Sequence, residues 1–290
     1  MRARNVYHPY IMMKNEILGI MAPWLIDTGA NVSVMSNYGR NQGNDIILNE
    51  FSIGNGIYKN VIFLLQDLRV FSGINDQKQG GTIGTDLLCT KVLFINFEKA
   101  KIGFFKKSYR PPLGLIRLPL IEYSNSPDPE GLPNIPTLVV DIDGYEVKMQ
   151  IDTGKSNDGV LQSISVNQQL LDIIGKNHTL EKTHSETVNV SNGSFFNVSH
   201  FKATPTPILK IGDFEIPIQD LELQPSLSLP FSRNEPIGIM GMPLLSLFEY
   251  IIIDPFRKEC FISNNVTFGR ANYVNKCMEI VVSEKMSETV

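Results

Sequence analysis

Apolar positions along this chain recur mostly at every second residue. Tyr145, Val147, Met149 and Ile151 alternate with Glu146, Lys148 and Gln150, and that period of two predicts a strand with one face buried. The apolar run 139–142 leads into it through Asp143-Gly144, a strong two-residue hairpin signal. Leu209-Lys210-Ile211 and Phe214-Glu215-Ile216 repeat the theme around Gly212-Asp213, and Phe51-Ser52-Ile53 runs into Gly54-Asn55-Gly56. Helical periodicity is weak, and residues 166–174 are the best candidate for one short helix. The pattern predicts an all-β protein.

The pattern breaks once, near the middle. Residues 108–136 carry Pro111, Pro112, Pro119, Pro127, Pro129, Pro133 and Pro136, which reads as a linker with one strand at 115–121. The expected organisation is an N-terminal lobe at 1–110, a linker at 111–136 and a C-terminal lobe at 137–290. The two flanking parts read as copies. The first holds Leu25-Ile26-Asp27-Thr28-Gly29, then Thr82-Ile83-Gly84, Leu87-Leu88, an apolar run from Val92 to Ile95, a turn, and a second run from Ile102. The second holds Gln150-Ile151-Asp152-Thr153-Gly154, then Ile239-Met240-Gly241, Leu244-Leu245, a run from Tyr250 to Ile253, a turn, and Cys260-Phe261-Ile262. Asp27 precedes Gly84 by 57 residues and Asp152 precedes Gly241 by 89. A duplicated β unit with one expanded loop in the second copy accounts for the difference.

Composition narrows the function classes. Apolar residues make up 42% and charged residues 19% of 290, with net charge −4 and no long run of one sign, so nucleic acid is not an expected partner. No stretch approaches 18 uninterrupted apolar residues, and no membrane span is expected. The start, Met1-Arg2-Ala3-Arg4, has no apolar run behind it and does not read as a signal peptide. A signal segment removed earlier would be compatible with a secreted or periplasmic location, so the compartment stays open. Cys89, Cys260 and Cys277 have no metal-ligand spacing; one disulfide pair or three small apolar residues both fit. His8, His178, His184 and His200 show no ligand spacing either and are expected at the surface or on a flap. No metal and no cofactor is expected.

The chemistry lies in the repeated Asp-Thr-Gly. An apolar strand delivers each carboxylate to the edge of the core, and Gly29 and Gly154 permit a tight turn with positive φ and close backbone approach. Two such turns related by a pseudo-twofold axis would set Asp27 and Asp152 side by side. Carboxyls about 3 Å apart cannot both ionise readily, so they share a proton and their apparent pKa values separate. The aspartic-protease dyad is the standard illustration of this behaviour. The ionised member can take a proton from a bridging water while the protonated member polarises a carbonyl, with no covalent intermediate.

The Asp-Thr-Gly turns, the later apolar-apolar-Gly segments and the hairpins that follow resemble the retropepsin and pepsin superfamily of aspartic proteases. The resemblance covers nearly the whole chain, twice, around the linker. It implies a bilobal acid-protease fold, two pseudo-twofold related β-barrel-like lobes with an active-site cleft between them, in a monomer. Asp27 and Asp152 would be the catalytic pair, and Thr28 and Thr153 would join the two turns. Gly29 and Gly154 would help bind substrate backbone, and the segments ending at Gly84 and Gly241 would pack beneath the turns. The substrate would be an extended polypeptide held by backbone pairing, with an acid-shifted pH optimum. A catalytically silent peptide-binding module on the same fold is the alternative.

Two departures from the family pattern bear on the site. The residue after the glycine is Ala30 in the first copy but Lys155 in the second. Lys155 is expected to point into solvent; turned inward, it would favour an ionised Asp and lower the pair's apparent pKa. The flaps also differ. Residues 183–196 predict a hairpin with Ser191, Asn192, Gly193 and Ser194 at its tip, whereas the first copy offers only the short stretch 38–45. One long flap, from the second half, is therefore expected. Ala30, Lys155 and the tip residues Ser191, Asn192, Gly193 and Ser194 are further candidates for substrate contact. Trp24 is expected to pack rather than to stack on substrate.

Overall fold

Strand formation follows the period-two pattern closely, and the turn chemistry sets the register. In this computed structural model the described residues are 4–40, 44–54, 56–71, 73–125, 134–156, 162–189, 195–225, 234–269 and 271–282. The first half runs through β1 (Arg4–Tyr7), β2 (Tyr10–Asn15), β3 (Ile20–Ile26), β4 (Val34–Ser36), β5 (Asp45–Ile53), β6 (Gly56–Gln66), β7 (Gly81–Ile83), helix α1 (Thr85–Leu88), β8 (Val92–Asn96) and β9 (Lys101–Phe105). After β10 (Ile116–Pro119) come β11 (Thr137–Ile142), β12 (Tyr145–Ile151), β13 (Ser163–Val166), helix α2 (Gln168–Ile174), β14 (Thr179–Asn189) and β15 (Phe195–Thr204). The chain continues with β16 (Ile208–Ile211), β17 (Phe214–Pro217), β18 (Asp220–Leu223), β19 (Ile237–Met240), helix α3 (Met242–Leu245), β20 (Tyr250–Asp254), β21 (Glu259–Ile262), β22 (Ala271–Val274) and β23 (Glu279–Val281). The protein is mostly β. Among the described residues no helix is long and apolar enough to cross a membrane.

Local sequence explains the elements. β11 and β12 pair from Ile142↔Tyr145 outward, across Asp143 (φ 51°) and Gly144 (φ 88°). Both central residues are left-handed, as the tight turn matching strand twist requires. Along β12 the alternation holds at Val147 and Met149 but fails at the ends: Tyr145 is exposed and Gln150 buried. β12 lies between β11 and β19, and its last three residues are covered on both faces. Helix α2 begins after Asn167, whose side chain accepts from the Leu170 N–H at 2.9 Å and caps it. Val166 belongs to β13 instead of the helix. The proline-rich segment contributes β10, which pairs antiparallel with β21.

The repeat appears as matching sheet orders. The first half forms β2-β3-β7-β4-β6-β5, and the second contains β11-β12-β19-β13-β18-β15 in the same sense. In each, the strand carrying the Asp turn pairs parallel with the later short strand, β3 with β7 and β12 with β19. The added length of the second copy falls in two places, not in one loop. Helix α2 and β14 precede β15, and the hairpin β16–β17 follows it. A length counted between two sequence landmarks fixes only the total inserted, which is why the division was not legible.

A third sheet, in the order β10-β21-β20-β8-β9-β23, takes strands from both halves. At its centre β8 and β20 pair antiparallel, with Ile95 opposite Ile251 and Leu93 opposite Ile253. Those four side chains join the main core, while Phe94, Tyr250 and Ile252 on the other face pack with Phe105 and Tyr109. Both faces are therefore buried, and the sheet ties the halves together through apolar area. The chain ends cross over as well: β1 pairs parallel with β22, and β23 pairs parallel with β9.

Candidate active site

β3 and β12 end at Ile26 and Ile151, so each delivers its Asp-Thr-Gly to the same place from opposite sides. The Asp27 N–H donates to Ile83 O and the Asp152 N–H to Met240 O, both at 3.0 Å. The turns are joined through their threonines. Thr28 Oγ1 donates to Ile151 O and Thr153 Oγ1 to Ile26 O, both at 2.7 Å. In return each hydroxyl oxygen accepts the other threonine's backbone N–H at 3.1 Å. Thr28 and Thr153 are fully enclosed. Four buried bonds, each contributing roughly 1 kcal/mol net, make the twofold junction specific.

Above this junction the two carboxyls face each other, each packed against the glycine of the opposite turn, and each affects the other's titration. Asp27 Oδ1 also accepts from Gly29 N–H at 2.8 Å and Ala30 N–H at 3.1 Å, and Asp152 Oδ1 accepts from Gly154 and Lys155 N–H, both at 2.9 Å. The glycines are required by close approach. A Cβ on Gly29 would lie 2.3 Å from Asp152 Cγ, and one on Gly154 would lie 2.3 Å from Asp27 Cγ. Neither has positive φ, so the left-handed turn anticipated from sequence is not the reason. Gly84 and Gly241 sit directly under the turns: a Cβ at either would come within 2.8 Å of Ala30 O or Lys155 O.

The electrostatics are not symmetric. Burial pushes the Asp27 carboxyl well above the usual range, and the Asp152 charge and shared hydrogen bond push it further. Burial also raises Asp152, but the Lys155 charge opposes it, with the hydrogen bond from Asp27 acting in the same sense as Lys155. The pair therefore favours sharing one proton, and the Lys155 charge biases the negative charge toward Asp152.

Lys155 does not point into solvent. Its Nζ lies 2.7 Å from Glu222 Oε1 on β18, with 15% of the lysine side chain and none of the glutamate exposed. Glu222 also accepts from Gln224 Nε2 at 2.7 Å. A buried carboxylate that needs a cation draws the lysine inward, a pull invisible to a reading confined to neighbours in sequence. The histidine expectation needs correction at His178, whereas His184 is exposed on β14 and His200 belongs to the same hairpin. His178 has a side chain 5% exposed and bonds Asp143 Oδ2 at 2.8 Å. His200 is buried between Asp220 and Glu186. In the first copy Asp86 takes the Ser33 N–H and hydroxyl, and Ser33 Oγ in turn accepts the Gly84 N–H, bracing that turn. Trp24 packs against Phe51 and Phe63. Cys89, Cys260 and Cys277 are free thiols.

Of the flap candidates, β14 and β15 form a hairpin longer than the 183–196 segment. Its tip, Ser191, Asn192, Gly193 and Ser194, lies outside the described residues. Tyr38 and Gly39 sit in a left-handed turn, with Tyr38 Oη donating to Lys78 O at 3.0 Å. The long hairpin of the first half, β5–β6, turns instead near Ile280 and Lys91.

No family model matches the sequence, and no curated protein matches it. Among solved structures the chain is similar to the crystal structure of a retropepsin-like aspartic protease from Rickettsia conorii. Identity is 15% and the TM-score 0.32, over 55% of this chain and 98% of that one.

The charge pattern predicts a pH-dependent stability cost at the dyad. Below the ordinary carboxyl value of 3.8, Asp27 is protonated folded and unfolded, and it costs nothing. As pH rises above that value the unfolded chain releases a proton that folded Asp27 retains, so stability falls until Asp27 itself ionises. Asp27→Asn should therefore raise the thermal midpoint at neutral pH, by about 2–4 °C per kcal/mol relieved. The gain should vanish in acid. Calorimetric melts of both proteins across pH check this.

Proposed function

We propose that the chain is an aspartic endopeptidase that hydrolyses peptide bonds of extended polypeptides. One observation carries the reading: two carboxyl groups, from separate Asp-Thr-Gly turns, are brought against each other's turns above a reciprocal threonine clamp. Paired acids that share one proton suit a reaction needing a base and an acid at once. In the proposed cycle ionised Asp152 takes a proton from a water held between the acids, and the hydroxide attacks the scissile carbonyl. Asp27 gives its proton to the carbonyl oxygen, forming a tetrahedral diol. Collapse breaks the C–N bond as the proton on Asp152 passes to the leaving nitrogen, and a diol proton returns to Asp27.

On this reading the fold is bilobal, with lobes at 1–110 and 137–290, a linker at 111–136, and terminal strands exchanged between them. The cleft lies over Asp27 and Asp152, Gly29 and Gly154 offer backbone to the substrate, and the β14–β15 hairpin serves as the single long flap. Ala30 and Lys155 flank the acids. Matching sheet orders in the two halves support the twofold arrangement.

Pure protein incubated with a denatured protein mixture between about pH 3 and pH 8 should cleave it. Asp27→Asn and Asp152→Asn should each lower turnover by roughly 10³-fold or more, because the acids act as a unit. Near-normal turnover in either variant removes the dyad assignment, and binding without cleavage in the parent supports the silent binding module.

Lys155 generates a second expectation. Because its charge lowers Asp152, the paired variant Lys155→Met/Glu222→Gln should move the acid limb of kcat/KM to higher pH. Both are changed together, since leaving either charge buried alone would cost roughly 3–5 kcal/mol. An unmoved acid limb would show that another group governs it.

A further inference from the structure

The β14–β15 hairpin brings together residues that are far apart in sequence and idle in the proposed reaction. His184 stands directly opposite His200 across the two strands, and their rings stack at 4.2 Å with 5° between planes. Glu186, two residues along β14, projects from the same face and places Oε1 3.2 Å from His200 Nε2. On its other side His200 Nδ1 lies 2.9 Å from Asp220 Oδ2, and Asp220 is itself anchored by Ser163 Oγ at 2.8 Å. His184 Nδ1 is occupied by Thr183 Oγ1 at 3.0 Å.

We propose that His184, Glu186 and His200 bind a divalent transition-metal ion of the zinc class. The carboxylate on Nδ1 of His200 holds that nitrogen as the N–H donor, which turns the Nε2 lone pair toward Glu186. A buried imidazole held by a carboxylate at one nitrogen is the usual support of a metal-bound histidine. With bonds of about 2.0–2.1 Å, neighbouring ligand atoms on a tetrahedral ion lie about 3.3 Å apart. The Glu186–His200 spacing already matches one such edge, and all three ligand atoms lie within 4.8 Å of one another. Thr183 bonds Nδ1 of His184 and leaves Nε2 as its ligand nitrogen, and the exposed His184 ring must turn out of the parallel stack for both imidazole lone pairs to converge on one ion. Two imidazoles and one carboxylate favour zinc, cobalt, nickel or copper over magnesium or calcium. His184 and Glu186 are exposed while His200 is buried, so the ion has a solvent path and a fourth position open to water. A bound ion would cross-link the hairpin strands beside β18, where His200 stands opposite Glu222, the partner of Lys155.

Chelator-stripped protein titrated with Co²⁺ alone should bind one equivalent and develop the visible d–d absorption of a four-coordinate ion, and Zn²⁺ should displace it. His184→Ala and Glu186→Gln, both at exposed positions, should each weaken binding at least about tenfold with unchanged far-UV circular dichroism. Asp27→Asn should bind as the parent does, so this result stands or falls apart from the protease reading. No binding, or binding of parental strength in both ligand variants, would overturn the proposal.

Discussion

Two carboxyl groups in contact inside a protein cannot both be charged without a large cost, and the structure around Asp27 and Asp152 follows from that constraint. Burial and mutual repulsion favour a proton between them, while four backbone N–H groups aimed at their Oδ1 atoms favour a net negative charge. The balance is a pair that holds one proton. Such a pair relaxes apart unless its backbones are fixed. The threonine clamp fixes them with buried bonds whose lengths match on the two sides. Glycine is needed next to each acid because no side chain fits against the opposite carboxyl.

The rest of the fold holds the two turns at that separation. Each turn hangs between parallel strands of its own sheet and rests on the backbone of a short helix start at Gly84 or Gly241. The shared sheet centred on β8 and β20 buries large apolar side chains on both faces. Exchange of the chain ends, β1 onto β22 and β23 onto β9, adds contacts that neither half could make alone. Symmetry is broken where Lys155 replaces the small residue found at Ala30. That difference brings Glu222 beside the site through Lys155, whose charge opposes the effect of burial on Asp152.

Local signals were legible in the sequence and long-range ones were not. Asp143-Gly144 and Gly212-Asp213 marked their hairpins because turn chemistry is confined to two residues. The repeated Asp-Thr-Gly and apolar-apolar-Gly marked the duplicated unit because spacing survives without knowledge of the fold. The destination of Lys155 was missed because its partner is 67 residues away. The pairing of His184 with His200 was missed because strand register, not sequence spacing, sets it. The split of the inserted length around β15 was hidden for the same reason, since only pairing shows which strand of the second copy matches β5.

The central claim is the single proton shared by Asp27 and Asp152, and it is measured most directly by carbon-13 NMR of labelled aspartate side-chain carboxyls, with the two signals assigned through Asp27→Asn and Asp152→Asn. The account predicts that the Asp27 carbon keeps its protonated shift well above the ordinary carboxyl value of 3.8. It also predicts that removing either acid changes how the other titrates. Two carbons that each follow an independent single-site curve at the ordinary value would contradict it.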